Sequence, residues 1–471
     1  MFKKVLMTAA FASMAFGQSL EERVEALEYA GYENWFKFGG NLEYRFDNVE
    51  TERKKGYTGI SFNGDRNVRT AGDKETTAHH RLFTELDIEA KPSNKLSFYG
   101  RLAITKYFNT LNKGGGNYAA DSGFNELFEG AGAGNSAIFM ERAFVNYNFT
   151  NNLVLSVGRL PTIDGSPKHI SEGRPMMGNY PYLAFAGIFD GLALTYNKEL
   201  MGTMFKLRGI FTPFNQRNIS VPYDKLSDAS GNKLDENSET YSLMLEAERE
   251  NMSWANRFHF TYQYIVVNNL NAFAPGSQLA DLDQNGSPEL YTVSTNAMLN
   301  STRHVMNLEL YGLFNTGLNF SFSYLMGNSK GTGMYTNRPL AAAGGDLTGS
   351  NIGTWFGASE TDLDGDAWIL NLSYDIKALR NARFGFEYMD AENNAFLYDA
   401  AARNRVGMYL PRGGDSKHVY WVQPVDANFR VRVGWQQANT KVTNLLGGYI
   451  GREIEIDDVA TAYYTSLQFF F

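Results

Sequence analysis

From Trp35 onward the chain alternates between apolar and polar residues. Phe36, Phe38, Gly40, Leu42, Tyr44 and Phe46 fall on one face of an extended strand, and Lys37, Gly39, Asn41, Glu43, Arg45 and Asp47 fall on the other. A tilted strand needs about 9–11 residues to cross a bilayer, and this run is long enough. Strands of soluble sheets usually have about 5–6 residues.

The pattern returns in pairs joined by short turns. Leu82, Leu86 and Ile88 lead through Pro92, Ser93 and Asn94 to Leu96, Phe98, Leu102 and Ile104. Ala143, Val145, Tyr147 and Phe149 lead through Asn151 and Asn152 to Leu153, Leu155 and Val157. Leu192, Leu194 and Tyr196 pair with Phe205, Leu207 and Phe211, and Tyr241, Leu243 and Leu245 pair with Phe258, Phe260, Tyr262 and Tyr264. Met306, Leu308, Leu310 and Phe314 turn at Asn315 to Gly317 into Leu318, Phe320, Phe322 and Tyr324. Trp368, Leu370, Leu372 and Tyr374 pass through Lys377 to Asn381 into Phe384, Phe386 and Tyr388. A short segment from His418 to Gln423 turns at Pro424 to Ala427 into Phe429, Val431, Val433 and Trp435.

Between the pairs lie long polar segments: Val49 to Ala78, Thr110 to Ser136, Pro213 to Glu239, Asn268 to Thr302, Asn328 to Gly365 and Ala391 to Lys417. Short and long connections alternate, as the periplasmic turns and extracellular loops of a transmembrane barrel do. A soluble propeller or sandwich has no cause to sort its loops this way. With the first and last strands added, the pattern predicts an all-β, antiparallel transmembrane barrel of about sixteen strands over 35–471.

The first residues predict an export signal over 1–17. Lys3 and Lys4 precede an apolar stretch, Val5 to Phe16, that is too short to span a bilayer as a retained anchor. Small residues at Ala15 and Gly17 place cleavage before Gln18, with cleavage after Ala15 as the variant. Residues 18–34 read as a short periplasmic helix or linker: Ser19 and Glu22 form a capping box, and Leu20, Val24 and Leu27 share a face. The absence of cysteine excludes disulfides, thiolate metal sites and covalent c-type haem, and no cofactor is predicted. Aromatic residues make up 14% of the chain, which suits the two interfacial girdles of a barrel. The formal charge of −8, more negative still without Lys3 and Lys4, argues against a nucleic-acid partner.

The last strand, with Tyr463, Thr465, Leu467, Phe469 and Phe471 on alternate positions, resembles the C-terminal strand read by the barrel assembly machinery of bacterial porins. With the Val157-Gly158-Arg159 strand end and the short helix before the first strand, the chain resembles bacterial outer-membrane porins. It resembles more closely an uncharacterised porin-like family of Gram-negative bacteria known only as a domain of unknown function. That resemblance implies a channel in the bacterial outer membrane. It also implies contact with lipid and lipopolysaccharide, small hydrophilic solutes as cargo, recognition by the assembly machinery through Phe471, and a homotrimer.

In general porins the third long loop folds into the lumen, and here that loop follows Arg159. Its candidate constriction residues are Asp164, Lys168, His169, Glu172 and Arg174, among apolar neighbours such as Met176, Tyr180 and Phe185. The wall candidates are the inward residues Arg45, Arg81, Arg383, Arg430 and Arg432, with a second cluster of Arg101, Arg142 and Arg159 on consecutive strands. Facing loop carboxylates, such an arginine ladder sets up a transverse field that orders dipolar solutes. Glu43, Glu85, Asp87, Glu246, Glu248, Glu309 and Glu387 oppose it, so the sign of ion selectivity stays open.

Asp281, Asp283 and Asn285 resemble the start of a calcium loop, which fails where Thr292 replaces the bidentate glutamate. Asp362, Asp364 and Asp366 form a second acidic turn. His79 and His80 point to opposite faces and cannot chelate together. No Ser-His-carboxylate spacing stands out, so the leading expectation is a porin for passive diffusion of small hydrophilic solutes. The alternatives are a substrate-selective channel, an outer-membrane lipase or protease, and a sheath for an electron-transfer partner.

Overall fold

The computed structural model describes residues 35–60, 66–69, 71–107, 138–162, 165–174, 180–184, 187, 189–215, 238–271, 276–280, 289–293, 298–331, 363–392, 394–395, 413–444 and 453–471. The expected leader and N-terminal helix, Asp164, and the calcium candidates Asp281, Asp283 and Asn285 lie outside them.

Sixteen strands close into one antiparallel barrel in which every strand pairs with its neighbours along the chain. They are β1 (Phe36–Arg53), β2 (Lys74–Ala90), β3 (Leu96–Tyr107), β4 (Phe139–Asn148), β5 (Leu153–Leu160), β6 (Phe189–Leu200), β7 (Thr203–Asn215) and β8 (Ser238–Glu250). They continue as β9 (Arg257–Asn271), β10 (Met298–Leu313), β11 (Leu318–Gly331), β12 (Leu363–Ile376), β13 (Ala382–Ala391), β14 (Gly414–Pro424), β15 (Phe429–Asn444) and β16 (Glu453–Phe470). β1 pairs with β16, from Asn41 opposite Phe470 to Arg53 opposite Asp458, so the sheet has no free edge.

The two faces invert the rule for soluble proteins. Leu194, Leu207, Leu243 and Leu245 on the outer face are 43–47% exposed, whereas the inward Glu85, Glu309, Ser321 and Gln468 have no accessible surface. An apolar exterior around a polar interior is the arrangement that hydrocarbon outside and water or polar groups inside select. Tyr44, Phe211, Tyr241, Tyr324, Trp368 and Tyr388 face outward toward the long-loop end, and Phe36, Phe38, Tyr147 and Phe149 toward the short-turn end. The tightest turn, Met201–Gly202, has both residues at positive φ (51° and 74°), the mirror-image geometry that fits the twist of a two-residue hairpin.

Three details depart from the sequence pattern. Strand β14 was expected to be short and to start at His418, but it begins at Gly414, because Gly414, Ser416 and His418 continue the buried inward series. Strands β1 and β2 extend past the apolar run to Arg53 and from Lys74, so the ladder persists where the side chains turn polar. Phe314 sits in the β10–β11 turn at φ 54° instead of ending the strand, after a register shift between Leu310 and Leu313.

Candidate functional site

The segment between β5 and β6 turns into the barrel. Thr162 donates its hydroxyl to the Gly187 carbonyl and closes the base of the loop. The Tyr182 N–H donates to the Ser166 carbonyl at 2.9 Å, which ties the two arms together. At Gly165 an added Cβ would lie 1.8 Å from the Tyr180 carbonyl oxygen, so only glycine lets the arms meet. The outgoing arm carries a one-turn helix, α1 (Lys168–Ser171), all four residues of which are buried.

Wall residues capture the end of this helix. Arg432 donates to the Ser171 carbonyl at 2.8 Å, Gln468 to the Glu172 carbonyl at 3.1 Å, and Arg430 to the Gly173 carbonyl. The last carbonyls of a helix have no partner within it, and cationic donors suit their partial negative charge. Gly173 adopts φ +66°, and a Cβ there would come within 2.8 Å of Val422. Farther round, Arg174 forms an ion pair with the Glu85 carboxylate. His169 Nε2 lies 3.0 Å from the Tyr311 hydroxyl and 3.7 Å from Glu309, and Ser166 meets Ser321 at 3.2 Å. Arg303 donates to the Ala184 carbonyl at 3.1 Å, and the Arg208 guanidinium stands 5.3 Å from the Tyr180 ring. The loop is thus held by β2, β7, β10, β11, β15 and β16 together. Burial keeps the His169 imidazole below its ordinary range.

Among the described residues, the wall arginines are not set opposite the loop carboxylate Glu172. Arg45, Arg81, Arg101, Arg383 and Arg432 are paired along the wall itself, and Arg430 turns to the loop. Arg81 and Arg432 meet Glu43 at 2.6 and 3.5 Å, and Gln468 donates to the same carboxylate at 3.0 Å. Arg45 holds Asp47 at 2.6 Å, donates to Gln436 at 3.0 Å, and stacks 3.9 Å over Tyr464. Arg101 bridges Glu85 at 3.0 Å and Asp87 at 2.6 Å, and Arg383 holds Asp375 at 2.7 Å. A chain of Arg208, Glu246, His259 and Glu309 runs beneath the loop, with spacings of 3.2, 4.0 and 3.5 Å. Pairing of this kind offsets the desolvation that each buried charge suffers.

Two arginines of the second cluster have different fates. A register shift between Arg101 and Leu102 makes a bulge in β4 that turns both Glu141 and Arg142 inward, where they are buried. Arg159, expected inside, belongs to the outward series. It shares parity with Leu155 and Val157, lies opposite Asp190 in register, and binds that exposed carboxylate at 2.9 Å. The reason is period two itself: an arginine two residues after an outward valine faces outward as well.

Sequence reasoning passed over Gln468, Gln436, Ser321, Tyr311, Arg303 and Tyr464. The signal was present, since all share inward parity; five of the six are uncharged, and Arg303 directly follows a segment read as a long loop up to Thr302. His259 is inward and buried. His79 and His80 do diverge, one lying 3.7 Å from Asp47 inside and the other 2.6 Å from the Tyr44 hydroxyl outside. Asp364 and Asp366 of the second acidic turn accept from Asn328 at 2.8 Å and Tyr324 at 2.6 Å.

Solved structures resemble the barrel at low identity. Salmonella typhi OmpF, in a complex with daunomycin, aligns at 12% identity over 93% of this chain and 99% of its own, with a TM-score of 0.44. Pseudomonas putida OprB, in a high-pH structure, aligns at 12% over 96% of each, with a TM-score of 0.45. An anion-selective porin from Comamonas acidovorans aligns at 10% over 93% and 99%, with a TM-score of 0.45. No curated protein matches the sequence. The model of a family described as a protein of unknown function, DUF3373, matches residues 73–469, and the chain belongs to that family.

Proposed function

We propose that this protein is a channel of the bacterial outer membrane that passes small hydrophilic solutes or ions and is narrowed by segment 161–187. Lys168, His169, Glu172 and Arg174 form the loop side of the narrow part, and Arg45, Arg81, Arg101, Arg142, Arg383, Arg430 and Arg432 form the wall side. One observation carries this reading: a loop tied to six strands stands inside a closed cylinder that is apolar without and polar within.

The burial of the mid-height wall favours a narrow, selective passage over a wide open one. Glu85, Glu309, Ser321 and Tyr420 have no accessible surface beneath the loop. Solute transit through such a section depends on movement of the loop. Transport is favoured over catalysis because Ser166, His169 and Arg174 are engaged in holding the loop to the wall. In this reading the leader 1–17 is removed, the short turns face the periplasm, and the outer face meets lipid and lipopolysaccharide. A homotrimer is tested by unboiled gel mobility.

Planar-bilayer reconstitution tests the channel. Wild-type protein is expected to give small, stepwise conductance, and deletion of Asp164 to Gly178 a larger one. Silence from both proteins, or equal conductance, would overturn the reading.

A further inference from the structure

The face of the loop toward the short turns meets an unbalanced charge. Arg45, Arg81, Arg101, Arg383 and Arg432 each hold a carboxylate of the wall, but among the described residues no carboxylate pairs with Arg430. Its Nη1 donates to the Gly173 carbonyl, a neutral partner, and its guanidinium lies 4.7 Å from the centre of the Phe470 ring. The carboxylate of Glu172, next to Gly173, turns instead to Arg174 at 3.6 Å. Carbonyl and ring thus hold the Arg430 guanidinium in place without neutralising it.

A guanidinium carries five N–H donors. Apart from the one given to Gly173, those of Arg430 have no partner among the described residues, and none of its nitrogens is sealed from solvent. Arg430 is the second residue of β15, so these donors meet the lumen on the short-turn side of the loop. Arg383 stands two strands away on β13, close enough for the two charges to repel. Its Nε and Nη2 grip Asp375 at 2.7 and 3.0 Å, which leaves its Nη1 without a partner among the described residues.

A half-buried cation with no fixed counter-ion draws a mobile one. The unused edge of a guanidinium fits an oxyanion, which takes two parallel hydrogen bonds from it. A cationic guest would be repelled by both arginines, and a neutral guest would leave the charge unmet. Charged side chains at a narrow section also set the sign of ion selectivity.

We infer that Arg430, assisted by Arg383, is an oxyanion site beneath the loop and gives the channel a preference for small anions that carry a carboxylate or phosphate group. The inference deepens the channel reading and rests on it, because it names the class of solute the channel favours.

Binding and conduction are measured separately. The full chain, folded in a phosphate-free detergent, is titrated with inorganic phosphate, and the width of the phosphorus NMR line is followed. Reversal potentials across planar bilayers in a potassium chloride gradient give the permeability ratio. Retained heat-modifiable gel mobility shows that each variant is folded. Phosphate is expected to bind saturably to the wild type, and Arg430→Gln to weaken that binding about tenfold through loss of a charged hydrogen bond. Lys417→Gln removes a lysine of the outer face and is expected to leave phosphate binding as it is. In bilayers the wild type should favour chloride, and Arg430→Gln should lower the chloride-to-potassium ratio. Arg430→Lys, which returns the charge without the fork, should restore the ratio but not the phosphate affinity. Equal phosphate binding by wild type and Arg430→Gln, or a wild-type preference for potassium, would overturn the site. Conduction without phosphate binding sinks the site and spares the channel, whereas phosphate binding by a silent protein does the reverse.

Discussion

Arg432 reaches two partners at once: its Nη2 donates to the Ser171 carbonyl at 2.8 Å while its Nη1 lies 3.5 Å from the Glu43 carboxylate. One guanidinium therefore joins the inward loop to the wall, and Glu43 keeps Arg81 when Arg432 is removed. A hydrogen bond to a charged group contributes about 1.5–3 kcal/mol, so Arg432→Ala is expected to shift the loop toward release by on the order of tenfold or more. Single-channel records should show longer or more frequent large-conductance openings. Unchanged open times would mean that Arg432 does not restrain the loop.

Gly173 offers a steric test of the same latch. Valine at this position must adopt φ +66° and place its Cβ within 2.8 Å of Val422, a combination that β-branched residues avoid. Gly173→Val should raise conductance without changing gel mobility, and the companion Val422→Ala should return it part of the way. Full activity of Gly173→Val at wild-type conductance would show that the loop is not seated as described.

His169 makes the latch sensitive to acid. It faces Glu309 and Tyr311 directly, with Arg383 and His259 adding positive charge nearby, and its proton affinity in the packed loop is below its ordinary value of 6.5. A released loop returns the imidazole to that ordinary value, so the released state binds protons more readily. Packing is then fully favoured above about pH 6.5 and weakens as the pH falls below it. Conductance should rise on acidification from pH 7 to pH 5, and His169→Gln should flatten the profile. A profile that is equally steep in the variant would assign the effect to other groups.

Arg159 and Asp190 supply the counter-test to the wall arginines. Their ion pair lies on the outer face, so replacing both with leucine should leave conductance and ion selectivity unaltered. Arg101→Leu, by contrast, removes the guanidinium that bridges Glu85 and Asp87, leaving Glu85 to Arg174, and should alter both or prevent folding. A selectivity change in the Arg159 and Asp190 variant would return Arg159 to the pore.

Most of the barrel was legible from period-two alternation, because each crossing strand must satisfy two solvents at once and Leu192, Leu194 and Tyr196 had no other use. The ends of the strands were less legible. Beyond the hydrocarbon the outward positions of β1 become Asn48, Glu50 and Glu52, and the pattern fades while the backbone ladder continues to pair. The bulge at Glu141 was invisible for a related reason, since it adds a residue without changing composition. The loop's burial was suggested by its mixture of charged and aromatic residues. Its partners were not, because Gln468 and Ser321 lie hundreds or scores of positions away and the helix carbonyls they or their neighbours serve carry no side-chain signature.

Phe471 closes the last register: Gly40 N–H donates to its carbonyl at 2.9 Å, and a Cβ on Gly40 would strike its ring at 2.5 Å. Phe471 is therefore part of the seam with the first strand. A fragment lacking either seam strand cannot seal itself and presents two raw edges to whatever strand it meets. High contact order delays such closure until both seam strands are present.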